Sequence, residues 1–263
     1  MLLGFVAIRI FAPIRHSHCM FEIEIKSLLG SKDRADELRR RLVQLFPALK
    51  VLPSHKQLNH YFKLPSQASQ GIAAATNAAH ANEETEGLRV FEKTVAPLLP
   101  EDTRQRLADI INGVKGAVSI RTREADGDVF VILKASIGDD TSANGVSRIE
   151  FEEKVSVPLV ELDTRLVTAG LTYQAKWSRE RDHYDLGVIH VTIDKNAGYG
   201  YLAEFEKMID DGREADYAKQ ELKALMATLG CQELPQERLE RMFKFYNEHW
   251  EEYYGTDKTF TIE

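Results

Sequence analysis

Charged residues alternate with apolar or small ones in five short stretches of the chain. In a β-strand successive side chains point to opposite faces, so every second residue lies on the same face. Each stretch therefore predicts a strand whose charges form a row on one face. The stretches are Glu22-Ile23-Glu24-Ile25-Lys26, Arg121-Thr122-Arg123, Arg148-Ile149-Glu150-Phe151-Glu152, Arg179-Glu180-Arg181 and Glu204-Phe205-Glu206.

The rest of the pattern adds further strands and several helices. Asp126-Gly127 is a strong turn signal between two strand-like runs, 117–123 and 129–135, and predicts a hairpin. Other strands are predicted at 21–26, 57–64, 147–155, 172–181, 184–193 and 201–208. Apolar residues at helical spacing predict helices over 33–46, 100–111, 160–168, 215–230 and 237–254.

The order of these elements indicates one α+β domain, with about eight strands around rows of charge and helices at the periphery. The strands and their connections occupy 20–210, with an insert near 65–112 that begins in a loop-like stretch rich in Ala, Asn, Gln and Ser. A helical extension over 211–263 is expected to pack on this domain. Met20 directly precedes the first charged strand and is expected to be the working start, so that residues 1–19 are an extension with little structure. The alternative for these residues is a membrane-touching amphipathic tail.

Composition narrows the class of protein. The chain has 263 residues, 43% of them hydrophobic and 29% charged, which is typical of a globular protein. A net charge of -7 argues against general nucleic-acid binding, which needs a basic surface. The apolar run 2–14 is interrupted by Arg9 and is too short to span a bilayer, so no membrane partner is expected. With only Cys19 and Cys231, a disulfide framework is not expected and the cytoplasm is the predicted location.

The charged rows have two explanations. Opposite charges on strands commonly form cross-strand ion pairs on a solvated face. Alternatively, the rows line the inside of a closed sheet, and the balance of acids and bases over several strands favours this second explanation. Guanidinium groups bind phosphate oxygens in two-pronged fashion, and clustered carboxylates are natural ligands for Mg²⁺ or Mn²⁺. The pattern therefore predicts a site for a metal-bound polyphosphate.

The ordered charged stretches resemble the motifs of the CYTH superfamily, also called triphosphate tunnel metalloenzymes. The stretch 22–26 is similar to the family's E-x-E-x-K, and 121–123 with Lys134 is similar to its R-x-R and downstream lysine. The stretch 148–152 matches R-x-E-x-E, and Asp194 with 204–206 resembles the closing aspartate and E-x-E. The resemblance extends over about 21–208.

One motif departs from the family pattern. The stretch 179–184 resembles K-x-R-x-x-Y, but Arg179 stands where the family has lysine. The nearby Lys176 is an alternative source of that amine.

The resemblance implies an eight-stranded antiparallel β-barrel, a tunnel that binds a triphosphate together with Mg²⁺ or Mn²⁺. The residues that it implies for triphosphate binding are Lys26, Arg121, Arg123, Lys134, Arg148, Arg179 and Arg181. Those that it implies for metal binding, directly or through water, are Glu22, Glu24, Glu150, Glu152, Asp194, Glu204 and Glu206. Lys134 and Tyr61 are the candidates for the lysine and tyrosine that help to activate water in hydrolytic members.

Three functions are compatible with these residues. The first is a metal-dependent hydrolase of inorganic triphosphate or of an organic triphosphate such as thiamine triphosphate. The second is a class IV adenylate cyclase, which uses the same tunnel but attacks the α-phosphate of ATP with the ribose 3′-hydroxyl. The third is a polyphosphate- or nucleotide-binding module without turnover. The sequence leaves the choice of triphosphate, the metal and the oligomeric state open.

Overall fold

The computed structural model describes residues 21–65, 77–114, 118–136 and 148–262, and the predicted extension at 1–19 lies outside these ranges. The strands are β1 (Phe21–Gly30), β2 (Lys50–Lys63), β3 (Val118–Ala125), β4 (Asp128–Ser136), β5 (Arg148–Val155), β6 (Thr172–Asp185), β7 (Ile189–Asn196) and β8 (Gly200–Ile209). The helices are α1 (Lys32–Leu45), α2 (Asn77–Val95), α3 (Glu101–Gly113), α4 (Leu159–Thr168), α5 (Ala215–Thr228) and α6 (Gln236–Tyr253). Part of the predicted insert, 66–76, also lies outside the described residues.

The eight strands form a closed antiparallel barrel in the order β1-β5-β4-β3-β2-β6-β7-β8. Hairpins join β3 to β4, β6 to β7 and β7 to β8. The ring closes at β1, which pairs along its length with β8 and through Glu22 and Arg148 with β5. The α+β fold and the antiparallel barrel predicted above are therefore confirmed.

The apolar faces of the strands point outward, and helices cover them. Helices α2, α3 and α4 pack on β2 to β5 through a cluster that includes the buried Phe91, Leu107 and Leu162. Helices α1 and α5 pack on β1, β7 and β8 through a second cluster that includes Leu38 and Leu222. Because side chains alternate along each strand, the charged rows are left facing the inside of the barrel.

Several strand boundaries differ from the predicted ones. The strand predicted at 57–64 begins instead at Lys50 and passes through Pro53, which lies at an irregularity in the pairing of β2 with β6. Proline is tolerated there because the ladder of hydrogen bonds is already interrupted. The polar run 182–183, predicted as the break before β7, belongs to β6, and the turn comes at 186–188 with Gly187 at φ 96°. Strand β7 also ends at Asn196, later than the predicted end at 193, so that Asp194 lies within it.

The C-terminal helix α6 packs against β6 through aromatic side chains. The ring of Tyr246 stacks on that of Trp177, with centroids 3.7 Å apart and an angle of 20° between the rings. Gly198 adopts φ 97°, and a Cβ atom at this position would lie 2.7 Å from the Tyr246 ring. Glycine is therefore required there both by the backbone and by the close approach of α6.

None of the helices in the described ranges is both long and apolar enough to cross a membrane.

Candidate active site inside the barrel

The charged rows meet inside the barrel, because their ion pairs join strands that are not neighbours in the sheet. Lys134 on β4 lies 3.0 Å from a carboxylate oxygen of Glu22 on β1, across the intervening β5. Arg123 on β3 donates to Glu152 on β5 at 2.9 Å, across β4. Such contacts span the concave side of a curled sheet. We call this inner surface the tunnel face.

The predicted site residues with described side chains all lie on the tunnel face. Their alternate neighbours, such as Ile23, Ile25 and Phe205, are buried under the outer helices. The backbone of Arg148 pairs with that of Glu22, while its side chain lies outside the described part of the structure.

Three carboxylates form what we call the carboxylate cluster: Glu22, Glu24 and Glu206. Each offers an oxygen within 4.8 Å of the other two. Glu24 and Glu206 are paired across β1 and β8. Burial, together with the like charge of Glu22, raises the pKa of Glu206 to about 7. Glu206 is therefore protonated more readily than an ordinary carboxyl, while Glu22 and Glu24 are paired with Lys134 and Lys26.

The other acids of the tunnel face hold arginine and lysine side chains. Asp194 is fully buried, and its two oxygens accept hydrogen bonds from Arg179 at 2.8 Å and from Arg181 at 2.7 Å. Arg181 also contacts Glu204. Burial would raise the pKa of Glu204, but the positive charge of Arg181 contributes to holding it well below its ordinary value. Asp194 was predicted as a metal ligand, and the structure places it among the arginines.

Lys134 and Glu150 form a second ion pair of this kind. The Lys134 ammonium lies 3.1 Å from Glu150. Burial would lower the pKa of Lys134, but Glu150 and Glu22 outweigh burial and raise it. Burial would likewise raise the pKa of Glu150, but Lys134 and Arg121 lower it to about 2. Both groups are therefore charged at neutral pH.

Tyr61 and Arg121 are paired across β2 and β3 and interact directly. The Arg121 Nη1 donates to the Tyr61 hydroxyl oxygen at 2.8 Å. Burial would raise the pKa of Tyr61, but the positive charges of Arg121 and Arg179 outweigh burial and lower it. The tunnel face therefore carries a phenol whose ionised form is stabilised by two guanidinium groups.

Two donors on the tunnel face have no hydrogen-bond partner among the described residues. They are the Nε of Arg121 and the Nδ2 of Asn196, and both atoms are buried. Leaving a buried donor unpaired costs about 1–3 kcal/mol. Both are therefore available to a ligand rich in acceptor oxygens.

Sequence reasoning missed the uncharged polar residues of the tunnel face. Gln57 accepts a hydrogen bond from Arg179 at 2.8 Å, and Asn59 accepts one from Arg123 at 2.9 Å. The signal was present, because Gln57, Asn59 and Tyr61 form a polar row at every second position of β2. Asn196 continues a similar row on β7 beyond Asp194, past the predicted strand end.

Lys176, the alternative source of the family's amine, lies on the other face of β6. Its ammonium sits 4.0 Å from the ring centroid of Tyr173. Arg179 therefore supplies the cation at that position of the tunnel face.

Comparison with solved structures identifies the fold. The PH1819 protein from Pyrococcus horikoshii aligns with a TM-score of 0.53 at 16% identity, covering 84% of this chain and 99% of that one. The PH1012 protein from the same organism gives a TM-score of 0.51 at 14% identity, covering 80% and 91%. A Vibrio parahaemolyticus protein provisionally described as an adenylate cyclase gives 0.51 at 16% identity, covering 81% and 90%.

The chain has the CYTH fold. Neither a protein-family model nor a curated protein is similar enough in sequence to match it. The likeness is therefore one of fold, and the chemistry of this chain depends on its own side chains.

The carboxylate cluster has the donor chemistry of a divalent metal site. Mg²⁺ and Mn²⁺ prefer oxygen ligands and commonly bind through one or two carboxylates plus water and phosphate. A divalent cation would also relieve the repulsion that raises the pKa of Glu206. Glu22, Glu24 and Glu206 are thus the residues best placed to hold a metal.

Proposed function

We propose that the protein is a divalent-metal-dependent triphosphatase that binds the triphosphate inside the barrel. The observation that carries this proposal is the division of the tunnel face into two parts. One part is the carboxylate cluster, where Glu22 and Glu24 are also paired with Lys134 and Lys26. The other is a set of guanidinium groups held by separate acids, Asp194, Glu152 and Glu204. A metal-bound polyphosphate needs both signs of charge on one surface.

The bases of the tunnel face would hold the phosphate oxygens. They are Lys26, Arg121, Arg123, Lys134, Arg179 and Arg181, and the resemblance adds Arg148, whose side chain lies outside the described part of the structure. Arginine suits this role because its planar fork donates two parallel hydrogen bonds to a phosphate. The ion pairs with Asp194, Glu152 and Glu204 fix the forks before the substrate arrives, which lowers the entropic cost of binding.

Glu22, Glu24 and Glu206 would hold Mg²⁺ or Mn²⁺. When bound, such a metal neutralises charge on the phosphate oxygens and helps to orient a water for attack. The acids paired with arginine and lysine, Glu150, Glu152, Asp194 and Glu204, would act on the metal through water or through the bases that they position.

Tyr61 and Lys134 are the proposed groups for handling the attacking water. The lowered pKa of Tyr61 raises the fraction of its ionised, phenolate form, which would accept a proton from the attacking water. Lys134 would stay protonated and stabilise the charge that develops on the transferred phosphoryl group. In phosphoryl transfer most of the catalysis comes from such positioning and electrostatic stabilisation.

An adenylate cyclase is the second candidate, and the resemblance to the Vibrio protein favours it. That reaction also begins with a triphosphate bound to metal, so the tunnel face would serve it equally well. The two differ in the attacking group, which is a water in one case and the ribose 3′-hydroxyl in the other. A binding module without turnover would use the same contacts and release no product.

Analysis of the products separates the three functions. The protein is incubated with inorganic triphosphate, thiamine triphosphate or ATP, each with Mg²⁺ or Mn²⁺, and the products are separated by anion-exchange chromatography. We expect orthophosphate from at least one of the first two substrates, and the relative rates rank the substrates. Cyclic AMP with pyrophosphate from ATP would show that the protein is a cyclase and not a hydrolase. Binding without any product would leave only the binding module.

A further inference from the structure

A buried carboxylate lies on the outer side of the barrel, where the triphosphatase proposed above does not use it. Asp163 on α4 is 4% exposed and accepts hydrogen bonds from three strands. The Thr122 hydroxyl of β3 donates to its Oδ1 at 2.7 Å. The His60 Nδ1 of β2 and the Tyr173 hydroxyl of β6 lie 2.6 and 2.9 Å from its Oδ2. We call these four residues the outer polar cluster.

The carboxylate of the outer polar cluster is ionised at neutral pH. Burial would raise the pKa of Asp163, but the hydrogen bonds from His60 and Thr122 outweigh burial and lower it. An ionised carboxylate only accepts hydrogen bonds, so the His60 Nδ1 is the donor in its contact with Asp163. A buried charge is costly unless it is hydrogen-bonded, and the members of such a network strengthen one another. Loss of one donor should therefore affect the whole cluster.

A catalytic role is the alternative to a positioning one. The His60 Nε2 lies 2.7 Å from the Tyr254 hydroxyl, so Asp163, His60 and Tyr254 follow one another in the order acid, imidazole, hydroxyl. This order activates a nucleophile in some hydrolases. Here burial and the negative charge of Asp163 raise the pKa of Tyr254 to about 12, so its hydroxyl is not activated. The outer polar cluster therefore acts through the strands that it holds.

Two members of the outer polar cluster lie directly behind the tunnel face. His60 and Thr122 are paired across β2 and β3. Because side chains alternate along a strand, the residues on either side of each point inward. Inside the barrel these neighbours form two hydrogen-bonded pairs, Arg121 with Tyr61 at 2.8 Å and Arg123 with Asn59 at 2.9 Å.

The pairing of β2 with β6 is irregular at the same place. Tyr61 is paired with Ala175 and Phe62 with Tyr173, so the pairing skips Gln174. A bulge of this kind interrupts the ladder of hydrogen bonds and changes which side chains point inward. Asp163 holds β6 through Tyr173 on one side of the bulge and β2 through His60 on the other. The outer polar cluster therefore joins the strands where their own ladder is interrupted, beside Tyr61.

We propose that Asp163 and Thr122 are positioning residues for the triphosphate site, because they hold β2, β3 and β6 from outside and so fix Arg121, Arg123 and Tyr61 inside. This inference rests on the proposed function, which assigns those three side chains to the bound triphosphate. Donors that are already fixed lose less conformational entropy when they bind a ligand. Loosening the outer polar cluster should therefore weaken triphosphate binding from the opposite side of the sheet.

Substitutions at Thr122 test this role with little change in shape. Thr122→Val removes the hydroxyl, whereas Thr122→Ser keeps it. The dissociation constant of imidotriphosphate, whose P–N–P bridges resist hydrolysis, is measured by titration calorimetry on the full chain with Mg²⁺. We expect Thr122→Val to bind about 10-fold more weakly, at the lower end of what groups that orient metal ligands contribute. Thr122→Ser should stay within about 2-fold of the wild type, and Asp163→Asn should lose at least as much affinity as Thr122→Val.

Two control variants separate positioning from a general loss of stability. Leu162→Ala removes buried apolar contacts of the same helix but leaves the hydrogen bonds of the outer polar cluster in place. In urea-induced unfolding it should lose at least as much stability as Thr122→Val, yet it should keep the wild-type affinity. Tyr254→Phe removes only the hydroxyl beyond His60 and should keep it as well.

The outcomes distinguish this inference from the proposed function. Wild-type affinity in folded Thr122→Val, failure of Thr122→Ser to restore binding, or an equal loss of affinity in Leu162→Ala would overturn the inference alone. A wild type that does not bind imidotriphosphate would overturn the proposed function, and the inference with it.

Discussion

Glu206 is a residue whose charge near neutral pH is set by its surroundings. Its pKa of about 7 in the folded protein lies above the ordinary value of 4.5. Between these two values the folded state binds a proton that the unfolded state has released. Raising the pH through this window therefore destabilises the metal-free protein.

Glu206→Gln should remove this destabilisation. We expect the metal-free variant to gain stability over the wild type as the pH rises from 5 to 8, with no gain at pH 4, where both states are protonated. The measurement is urea-induced unfolding in EDTA at each pH. Glu180→Gln, at an exposed position on the outer face of β6, is the matched control and should show no such trend. An equal gain at pH 4 and pH 8 would contradict the assignment of the raised pKa.

Tyr61 is the second residue whose role can be isolated. Tyr61→Phe keeps the ring that the Arg121 guanidinium covers at 5.4 Å but removes the hydroxyl. If this hydroxyl helps to activate water, turnover should fall about 100-fold with little change in KM. The steady-state rate of phosphate release measures this.

Tyr254→Phe is the control for Tyr61→Phe. Its hydroxyl hydrogen-bonds to His60 at 2.7 Å, on the outer side of β2, so its loss should leave turnover within about 2-fold. Equal effects of the two substitutions would show that the Tyr61 hydroxyl has no special part in the reaction.

At the scale of whole elements, Tyr246 is one of the buried side chains that hold helix α6 to the barrel, together with Leu239 and Met242. The Tyr246 side chain is fully buried, stacks on Trp177 and donates a hydrogen bond to the Lys176 carbonyl at 2.9 Å. Tyr246→Ala should lower the free energy of unfolding by about 3–5 kcal/mol, as truncation of buried aromatics does. Tyr246→Phe removes only the hydrogen bond and should cost about 1 kcal/mol.

Urea-induced unfolding of these variants tests the docking of α6. Tyr217→Ala is the control, because Tyr217 is 65% exposed and its truncation should change the stability by less than about 0.5 kcal/mol. A similar small loss for Tyr246→Ala would mean that α6 contributes little to the folded state.

Most element types were predictable from the sequence, whereas helix α2 and several strand boundaries were not. The alternation in 22–26 and 204–206 was sufficient to predict strands there, because it combines outward apolar residues with an inward charged row. In the sequence, the polar residues at 182–183 indicate a turn. The pattern cannot show that Asp182 pairs with Arg39 of α1 on the outside of the barrel while His183 faces inward. Local propensity was overridden there by contacts between elements distant in sequence.

The candidate site was predictable for a related reason. Its residues are arranged by strand alternation, which is visible in the sequence, and the family motifs name most of them. What alternation cannot give is the partner of each residue. The separation of the carboxylate cluster from acids such as Asp194 depends on which strands become neighbours when the barrel closes.

At the scale of the whole molecule, the barrel has helix-covered apolar surface outside and its charges inside, with an apolar cluster of Leu28, Leu202 and Trp177 on the inner face against α6. Buried charges carry a large desolvation penalty that paired groups only partly offset. A ligand that brings a metal and phosphates to the tunnel face should therefore stabilise the fold. Ligand present at 100 times its dissociation constant contributes about 2.7 kcal/mol.

A thermal shift measures this stabilisation. Inorganic triphosphate with Mg²⁺ should raise the melting temperature of the wild type by several degrees, and Arg123→Gln should reduce the shift by at least half. Arg40→Gln, at a side chain 72% exposed on α1, should retain the full shift. The same shift in all three proteins would place binding outside the barrel.

The most direct test of the proposed activity compares the wild type with Glu24→Gln. Glu24 belongs to the carboxylate cluster, and its amide replacement keeps the size of the side chain while removing its charge. Even groups that only orient a metal ligand contribute about 10- to 100-fold to metal affinity or activity, so the loss here should be at least about 100-fold. Orthophosphate release from inorganic triphosphate in Mg²⁺ is measured for both proteins, with Glu180→Gln as the control. The account predicts that Glu24→Gln is folded and nearly inactive while Glu180→Gln matches the wild type. Full activity of a folded Glu24→Gln protein would contradict it.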